Sequence, residues 1–255
     1  MTPSDEPFYV GYQKRAPAGL ARFLRRLVLV LLAGAAALAA FLPTRQQPFD
    51  EGTFEYGKVQ DFLGVIRERP YPVLSLAGAP DTPGSESSYD LVATGKRGAT
   101  REVEGLDGRW ATLRGSLIHR QGKTMVEVIP GSVAALEREG LAPVPPAVGF
   151  EVAELTLVGE IVDSKCFGGV MKPGRGKPHR ECAALCIRGG IPPRFVVESA
   201  AGRRLALLLV DEDGGPVNER VLDKVAEPLS ITGRVSRRGG DLLLAADPAV
   251  YRRLE

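Results

Sequence analysis

All three cysteines of the chain, and one of its two histidines, lie in one short segment, "CFGGVMKPGRGKPHRECAALC", which runs from Cys166 to Cys186. Thiolate sulfur and imidazole nitrogen are ligands that suit Zn²⁺ and Cu⁺ in proteins. Four such side chains in so short a segment predict a Cys3His site for one of these metals. The candidate metal ligands are Cys166, His179, Cys182 and Cys186.

The second half of this segment, "PHRECAALCIRGG", is typical of a short helix. Proline is tolerated at the start of a helix, and Gly189 stands where a C-terminal cap is expected. On a helix, the spacing i, i+3, i+7 places His179, Cys182 and Cys186 on one stripe. Cys166 would join them from the end of the preceding strand.

Two other arrangements of the cysteines stay open. Residues four apart in a regular helix have Cβ atoms about 5–6 Å from each other, whereas a disulfide needs about 3.8 Å, so Cys182 and Cys186 would pair only in a broken helix. Cys166 could instead bridge to either of them and leave one thiol over. A cycling redox role would need an exposed cysteine with a low pKa, and Cys182 lies near a helix N-terminus among cations.

A basic loop precedes the predicted helix. Such a run of cations is typical of a solvated surface loop. The more specific interpretation is a contact for an anion or an acidic partner beside the cysteines. The residues concerned are Lys172, Arg175, Lys177 and Arg180. Asp163, close to Cys166 in sequence, could orient His179 as a carboxylate behind the ligand.

Two copies of one β design are predicted to carry this segment. Residues 112–137, "TLRGSLIHRQGKTMVEVIPGSVAALE", align without gaps with residues 230–255, "SITGRVSRRGGDLLLAADPAVYRRLE", and "FLGVIRE" aligns with "LVGEIVD", so that Gly64 matches Gly159. Such self-similarity indicates a repeated supersecondary unit. Each copy has about five short strands, which favours two OB-like small β-barrels, with a small sandwich as the alternative.

The predicted organisation follows from these alignments. The cysteine segment, residues 164–190, is an insertion of about 26 residues between the first two strands of the second barrel, and the first copy has no counterpart. "GSVAALEREG" predicts a short helix that ends the first barrel, and "GAPDTPGSESS" predicts a loop. The segments are 1–19 (cytoplasmic), 20–42 (transmembrane), 43–57 (linker), 58–141 (first barrel), 142–150 (Pro-rich linker) and 151–255 (second barrel).

The N-terminal apolar stretch predicts a single membrane span. Residues 20–42 are long enough to cross a bilayer if the arginines near their start reach back to the headgroups. A cationic segment precedes the span, so the positive-inside rule places the N-terminus in the cytoplasm and the barrels in the periplasm of a bacterium-like cell. A cleaved signal peptide, with Ala37-Leu38-Ala39 as the cleavage site, is the alternative.

The net charge of the chain indicates which classes of partner to expect. A formal charge of +2 on 255 residues is near neutral, so the sequence predicts no nucleic-acid partner. The expected partners are the membrane and other membrane or periplasmic proteins. The sequence shows no nucleophile–base triad, phosphate loop or paired-carboxylate pattern, so catalysis is not the favoured function.

At "VGEIVDSKC" and "GKPHRECAALCIRGGIPP" the chain resembles a widespread group of exported or membrane-anchored bacterial proteins. Their shared pattern is G-x-V-x-D-x-x-C, then H-x-x-C-A-x-x-C and a G-x-P step, and the resemblance covers the second repeat. It implies a Cys/His module on an OB-like domain and no particular reaction. A looser likeness is to the copper chaperones of cytochrome oxidase assembly, which use C-x3-C and a histidine on a thioredoxin fold.

The sequence therefore predicts a membrane-anchored periplasmic protein with a Cys3His site for Zn²⁺ or Cu⁺, acting as a binding or assembly component of a membrane electron-transfer or metal-handling system. An interaction scaffold with a structural disulfide and a thiol oxidoreductase are the alternatives.

Overall fold

The structure is a computed structural model. It describes residues 16–46, 52–76, 88–120, 122–137, 149–200, 202–238 and 241–254. The chain divides into two compact units, Met1–Pro48 and Phe49–Glu255. The predicted loop "GAPDTPGSESS" falls almost wholly outside the described residues, as does the Pro-rich stretch 142–148.

The first unit contains one long helix, α1, at Ala18–Arg45. Its 28 residues are apolar over most of their length, and none of them is buried. A helix of this length exceeds the roughly 30 Å of a bilayer's hydrocarbon core at about 1.5 Å per residue. Among the described residues it is the single helix long and apolar enough to cross a membrane, which fits an anchor or a signal sequence.

The first barrel closes through five strands in the order β2–β3–β4–β7–β6 and back to β2. Strands β4 and β7 are parallel, and every other neighbouring pair is antiparallel. The strands are β1 Thr53–Phe54, β2 Gln60–Arg67, β3 Val73–Leu76, β4 Ser88–Ala93, β5 Arg97–Gly98, β6 Trp110–Arg120, β7 Lys123–Val128 and β8 Ala134–Ala135. Inward-facing apolar side chains such as Ile66, Leu74 and Leu113 fill its core.

The second barrel has the same strand order, β9–β10–β11–β13–β12 and back to β9, with β11 and β13 parallel. Its elements are β9 Gly149–Asp163, α2 Arg180–Arg188, β10 Pro193–Glu198, β11 Arg204–Val210, β12 Leu229–Arg238, β13 Asp241–Ala245 and β14 Arg252–Arg253. Two five-stranded barrels of OB type after an apolar N-terminal helix confirm the predicted fold class.

Two glycines at matching positions allow the first strand of each barrel to approach its neighbour. A Cβ on Gly64 would lie 2.3 Å from the Ser75 carbonyl oxygen, and a Cβ on Gly159 would lie 2.2 Å from the Val196 carbonyl oxygen. Both contacts are far inside van der Waals distance. The strands β2 and β9 therefore need glycine at this point.

The end of the first barrel differs from the prediction. Where "GSVAALEREG" predicts a helix, Ala134 and Ala135 form the short strand β8 and pair with Thr112 and Ala111 of β6. Pairing along β6 satisfies the backbone of this stretch, so tertiary contacts override its local helix propensity. The predicted linker 43–57 likewise contains β1, which pairs with β6, and Gly149 of the predicted Pro-rich linker begins β9.

The cysteine segment connects β9 to β10. It consists of a π-helical turn at Cys166–Val170, a 3-10 turn at Lys177–His179 and the helix α2, which Gly189 follows as the C-cap. On one side α2 packs into the core of the second barrel through Ala183 and Ile187.

Candidate metal centre

The site begins at Asp163, the last residue of β9. Its side chain is fully buried. Oδ1 accepts a hydrogen bond from the Cys166 backbone N–H at 2.8 Å, and Oδ2 lies 3.1 Å from His179 Nε2. A proton on Nε2 donates to this carboxylate and leaves Nδ1 to bind a metal, as carboxylate–histidine pairs do in metal sites.

The predicted ligands form two overlapping triplets. In each triplet the potential ligand atoms lie within 4.8 Å of one another, and Cys166 belongs to both. One triplet adds His179 and Cys182, and the other adds Cys186 and Asp163. Cys166, Cys186 and His179 are buried, and Cys182 is half-buried.

This cluster could hold a metal ion. Four tetrahedral ligands around zinc, with Zn–S bonds near 2.3 Å, lie about 3.8 Å apart. The atoms of each triplet therefore lie close to the spacing that a metal ion requires. Three thiolates and an imidazole suit Zn²⁺ or Cu⁺, and the buried Asp163 carboxylate is placed either to orient His179 or to act as a ligand itself.

The thiols of Cys166 and Cys186 lie within hydrogen-bonding distance of each other. A hydrogen bond to Cys186, together with burial, raises the pKa of the Cys166 thiol, while the same hydrogen bond lowers the pKa of Cys186. A metal that binds here must displace the thiol protons, because thiolates are the ligands.

The first barrel covers the cluster. Val92, Ile118 and Met125 of that barrel pack with Cys166 and Cys186 in one hydrophobic cluster. Lys96, in the turn between β4 and β5, donates from Nζ to Cys182 Sγ at 3.2 Å. This hydrogen bond raises the pKa of the Lys96 ammonium. The candidate site therefore draws on both barrels.

Close backbone contacts fix α2 against the first barrel. The Gly98 N–H donates to the Gly189 carbonyl oxygen at 2.9 Å. A Cβ on Gly98 would lie 2.2 Å from the Gly190 carbonyl oxygen, and a Cβ on Gly189 would lie 1.9 Å from the Lys96 carbonyl oxygen. Only glycine at these positions lets the end of the cysteine helix reach the β4–β5 turn.

The residues on each side of Cys166 also bind the first barrel. Lys165 is buried, donates to the carbonyl oxygens of Ala93 at 2.8 Å and Gly95 at 2.7 Å, and pairs with the Glu127 carboxylate. The Arg120 guanidinium donates to the Phe167 carbonyl oxygen at 2.7 Å and lies 3.9 Å above the Phe167 ring. Cys166 is thereby held between two anchored neighbours.

Two cations of the basic loop face solvent, and the other two form ion pairs. Lys172 and Lys177 are exposed. Arg175 lies 3.7 Å from Glu160, and Arg180 lies 3.1 Å from Glu227, both carboxylates of the second barrel. A contact of these four residues with an anion or an acidic partner stays a prediction.

Sequence reasoning missed the residues that the first barrel contributes. Lys96 lies 86 positions from Cys182, and Ala93 lies 72 positions from Lys165. The paired glycines Gly189 and Gly190 were the available signal, since two glycines directly after a helix allow a close backbone approach as well as a cap. The other contacts follow from how the barrels pack.

Comparison with known proteins gives a structural likeness alone. No protein-family model and no curated protein matches the chain. The solved structures include a deletion mutant of the single-stranded DNA binding protein from Thermus aquaticus, with 14% identity and a TM-score of 0.23 over 80% of this chain and 95% of that chain.

This likeness corrects one expectation. The near-neutral charge predicted no nucleic-acid partner, and that exclusion is contradicted because a structural neighbour binds single-stranded DNA. A net charge summed over a whole chain averages out local basic surfaces, so it is a poor ground for excluding a partner. At this TM-score the likeness carries no argument about what the present chain binds.

Proposed function

We propose that the protein is a membrane-anchored, periplasm-facing metal-binding protein whose Cys3His site holds Zn²⁺ or Cu⁺. It acts as a binding or assembly component of a membrane electron-transfer or metal-handling system, with other membrane or periplasmic proteins as partners. The metal ligands are Cys166, His179, Cys182 and Cys186.

One observation supports the metal site above all. Three cysteines and a histidine converge in a largely buried place, and the Nε2 of His179 faces a buried carboxylate. Buried charge is costly without compensation, so a buried Asp163 beside an imidazole and three thiols favours a site that a cation completes. All three cysteines are free thiols.

The location rests on α1 and on the positive-inside rule. Arg22, Arg25 and Arg26 lie near the start of the helix, which favours a cytoplasmic N-terminus and a periplasmic second unit. An exported protein with three free thiols meets an oxidising compartment, where bound metal would protect them from oxidation.

The test is the metal content of the full chain, purified in detergent under anaerobic conditions and measured by mass spectrometry. We expect close to one zinc or copper per chain. The double variant Cys182→Ser/Cys186→Ser should lose it. His179→Ala should lose most of it, and His119→Ala, which changes the only other histidine, should keep it.

Two results would overturn the metal site: wild type that takes up neither metal on reconstitution, or equal metal content in His179→Ala and His119→Ala. Mass mapping that finds Cys166 in a disulfide in the protein as isolated would favour the interaction scaffold instead.

A thiol oxidoreductase is the second candidate, and the contact between Lys96 and Cys182 favours it. Cys182 is the one cysteine of the three that is not fully buried, and a nearby ammonium stabilises a thiolate. Fast, single-site alkylation of Cys182 by iodoacetamide in the metal-free protein would support this function. Alkylation no faster than that of an ordinary thiol would exclude it.

A further inference from the structure

A short strand lies against the turn that carries Cys166. This strand, β1, is the first strand that follows α1 in the chain, and its two residues, Thr53 and Phe54, pair with β6. The same strand contacts the π-helical turn at Cys166–Val170. We call residues 52–54 the strap.

Glycines on both sides allow the strap to lie directly on this turn. A Cβ on Gly52 would lie 2.5 Å from the Gly168 carbonyl oxygen, and a Cβ on Gly169 would lie 2.4 Å from the Thr53 backbone nitrogen. Both contacts are far inside van der Waals distance, so a side chain at either position would displace the strap or the turn. The strap and the turn therefore meet backbone against backbone.

The Phe54 side chain extends the strap over the cysteines. Its ring packs against the hydrophobic cluster that contains Cys166, Cys186 and Ile118. The ring is half-buried, whereas Cys166 is 4% exposed and Cys186 is 1% exposed. Phe54 therefore belongs to the apolar layer that separates these two thiols from solvent.

The strap is held by fewer contacts than the five-stranded part of the first barrel. That part is fixed beside the cysteines by buried Lys165, which pairs with Glu127 and donates to two carbonyl oxygens. The strap has its two residue pairs with β6, the contact of one half-buried ring, and the hydrogen bond that the next N–H, of Glu55, donates to the Leu117 carbonyl oxygen at 2.8 Å. Segments with few buried contacts open at a lower free energy than the whole fold.

We propose that the strap is a gate over the candidate metal centre. Its local opening exposes Cys166 and sets the rate at which metal and thiol reagents reach the buried ligands. Cys182 lies outside the gate, because it is already half-buried and faces the exposed Lys96. The inference rests on the proposed function for the metal that exchanges, whereas the gate itself is tested on metal-free protein.

The test measures how fast iodoacetamide alkylates Cys166 in the metal-free full chain in detergent, with Cys182 as the internal reference. Peptide mapping by mass spectrometry assigns the label. Phe54→Ala removes the ring from the cover, and Gly52→Ala places a methyl group against the Gly168 carbonyl oxygen. We expect each variant to accelerate alkylation of Cys166 about ten-fold and to leave the rate at Cys182 unchanged.

Two further variants act as controls. Val59→Ala shortens an exposed side chain beyond the strap and should react as wild type does. Phe54→Leu keeps an apolar side chain on the cluster and should restore most of the protection. Wild-type alkylation of Cys166 in both Phe54→Ala and Gly52→Ala would overturn the gate, and so would equal acceleration at Cys166 and Cys182, which indicates general loosening of the fold.

Zinc-loaded protein separates the gate from the proposed function. Transfer of zinc to a chromogenic chelator should be about ten-fold faster from Phe54→Ala than from wild type or Val59→Ala. If the chain takes up no metal but Phe54→Ala exposes Cys166, the proposed function is wrong and the gate stands. If the chain binds zinc but alkylation and zinc transfer keep their wild-type rates in Phe54→Ala, the gate is wrong and the metal site stands.

Discussion

The two barrels carry a carboxylate at the matching position, Glu68 directly after β2 and Asp163 at the end of β9, and each barrel uses it differently. In the first barrel, Glu68 accepts hydrogen bonds from the backbone N–H groups of Leu106 at 2.8 Å and Asp107 at 3.1 Å. In the second barrel, Asp163 accepts one from the Cys166 N–H and faces His179.

This difference shows how a candidate binding site can be built on the same barrel design. In both barrels the carboxylate satisfies backbone donors of a loop that leaves the sheet, which is a common structural role. The second barrel has a longer connection after that residue, and the same carboxylate then lies beside an imidazole. The first barrel keeps the short connection and instead supplies the surface that covers the cysteines.

Arg194→Met should have the largest effect on stability, because it removes the ion pair that joins the two barrels. Arg194 lies in the second barrel and pairs with Asp90 of the first and Asp241 of its own. Its loss leaves the buried Asp90 and the half-buried Asp241 without their guanidinium, which should lower the free energy of unfolding by about 3–5 kcal/mol. Urea denaturation of the full chain in detergent would measure it, with Arg203→Met as the exposed control.

The pH dependence of this variant has a defined sign. Burial opposes the ionisation of Asp241, but Arg194 and Lys123 outweigh it and lower the pKa of Asp241 to about 2. The folded pKa lies below the ordinary value of 3.8, so the wild type gains stability above about pH 4 and loses it as the pH falls toward 2. In Arg194→Met the Asp241 carboxylate is easier to protonate, so the deficit should be greatest at neutral pH and shrink in acid. A deficit that stays constant with pH would contradict this account.

Gly64→Ala and Gly159→Ala test whether both barrels require glycine where the strand approaches its neighbour. Each added methyl group would lie within 2.3 Å of a carbonyl oxygen on the neighbouring strand. Overpacking against backbone should lower the free energy of unfolding by about 2–3 kcal/mol in both variants. Gly57→Ala is unsuitable as a control because its φ is +78°, and Gly34→Ala, in an open position of α1, serves instead. A large effect at one glycine and none at the other would show that the barrels differ at this point.

Asp163→Asn and Glu68→Gln form a matched pair at the two carboxylates. Asp163→Asn removes the charge that orients His179, so metal affinity should fall about 10- to 100-fold, the usual cost of losing such a carboxylate. Glu68→Gln weakens loop hydrogen bonds far from the cysteines and should leave metal affinity unchanged. Competition with a chelator of known affinity would measure both. Equal loss in the two variants would mean that metal affinity reports general stability.

The sequence was sufficient for the features that depend on local pattern. Period-2 strands, turn glycines and the alignment of Gly64 with Gly159 predicted two similar barrels, and the Cys/His spacing predicted a cluster that could hold a metal ion. The helix assigned to "GSVAALEREG" failed because Ala134 and Ala135 pair with β6. Local propensity cannot anticipate such a tertiary partner.

The contacts between the barrels could not be predicted from the sequence, for a related reason. Lys165 reads as one more cation of a basic loop, yet it is buried and bound to Glu127 and two carbonyl oxygens. Nothing in its neighbours reveals this, since the partners lie on strands of the other barrel. Packing between two barrels depends on the shapes of both, which a pattern along one chain does not encode.

Lys96→Met should have the smallest effect on metal affinity. It tests whether the first barrel contributes to the candidate site that the second barrel carries. The Lys96 ammonium lies 3.2 Å from Cys182 Sγ and is exposed. Solvent screens such a contact, so metal affinity should fall only about five-fold, with no change in stability.

Lys172→Met removes an exposed lysine of the insertion itself and is the matched control, while Lys96→Arg should retain most of the affinity. If Lys96→Met and Lys172→Met weakened metal binding equally, the effect would come from overall charge. If Lys96→Met alone weakened it, the first barrel, which has no cysteine of its own, would be part of the site that the second barrel carries.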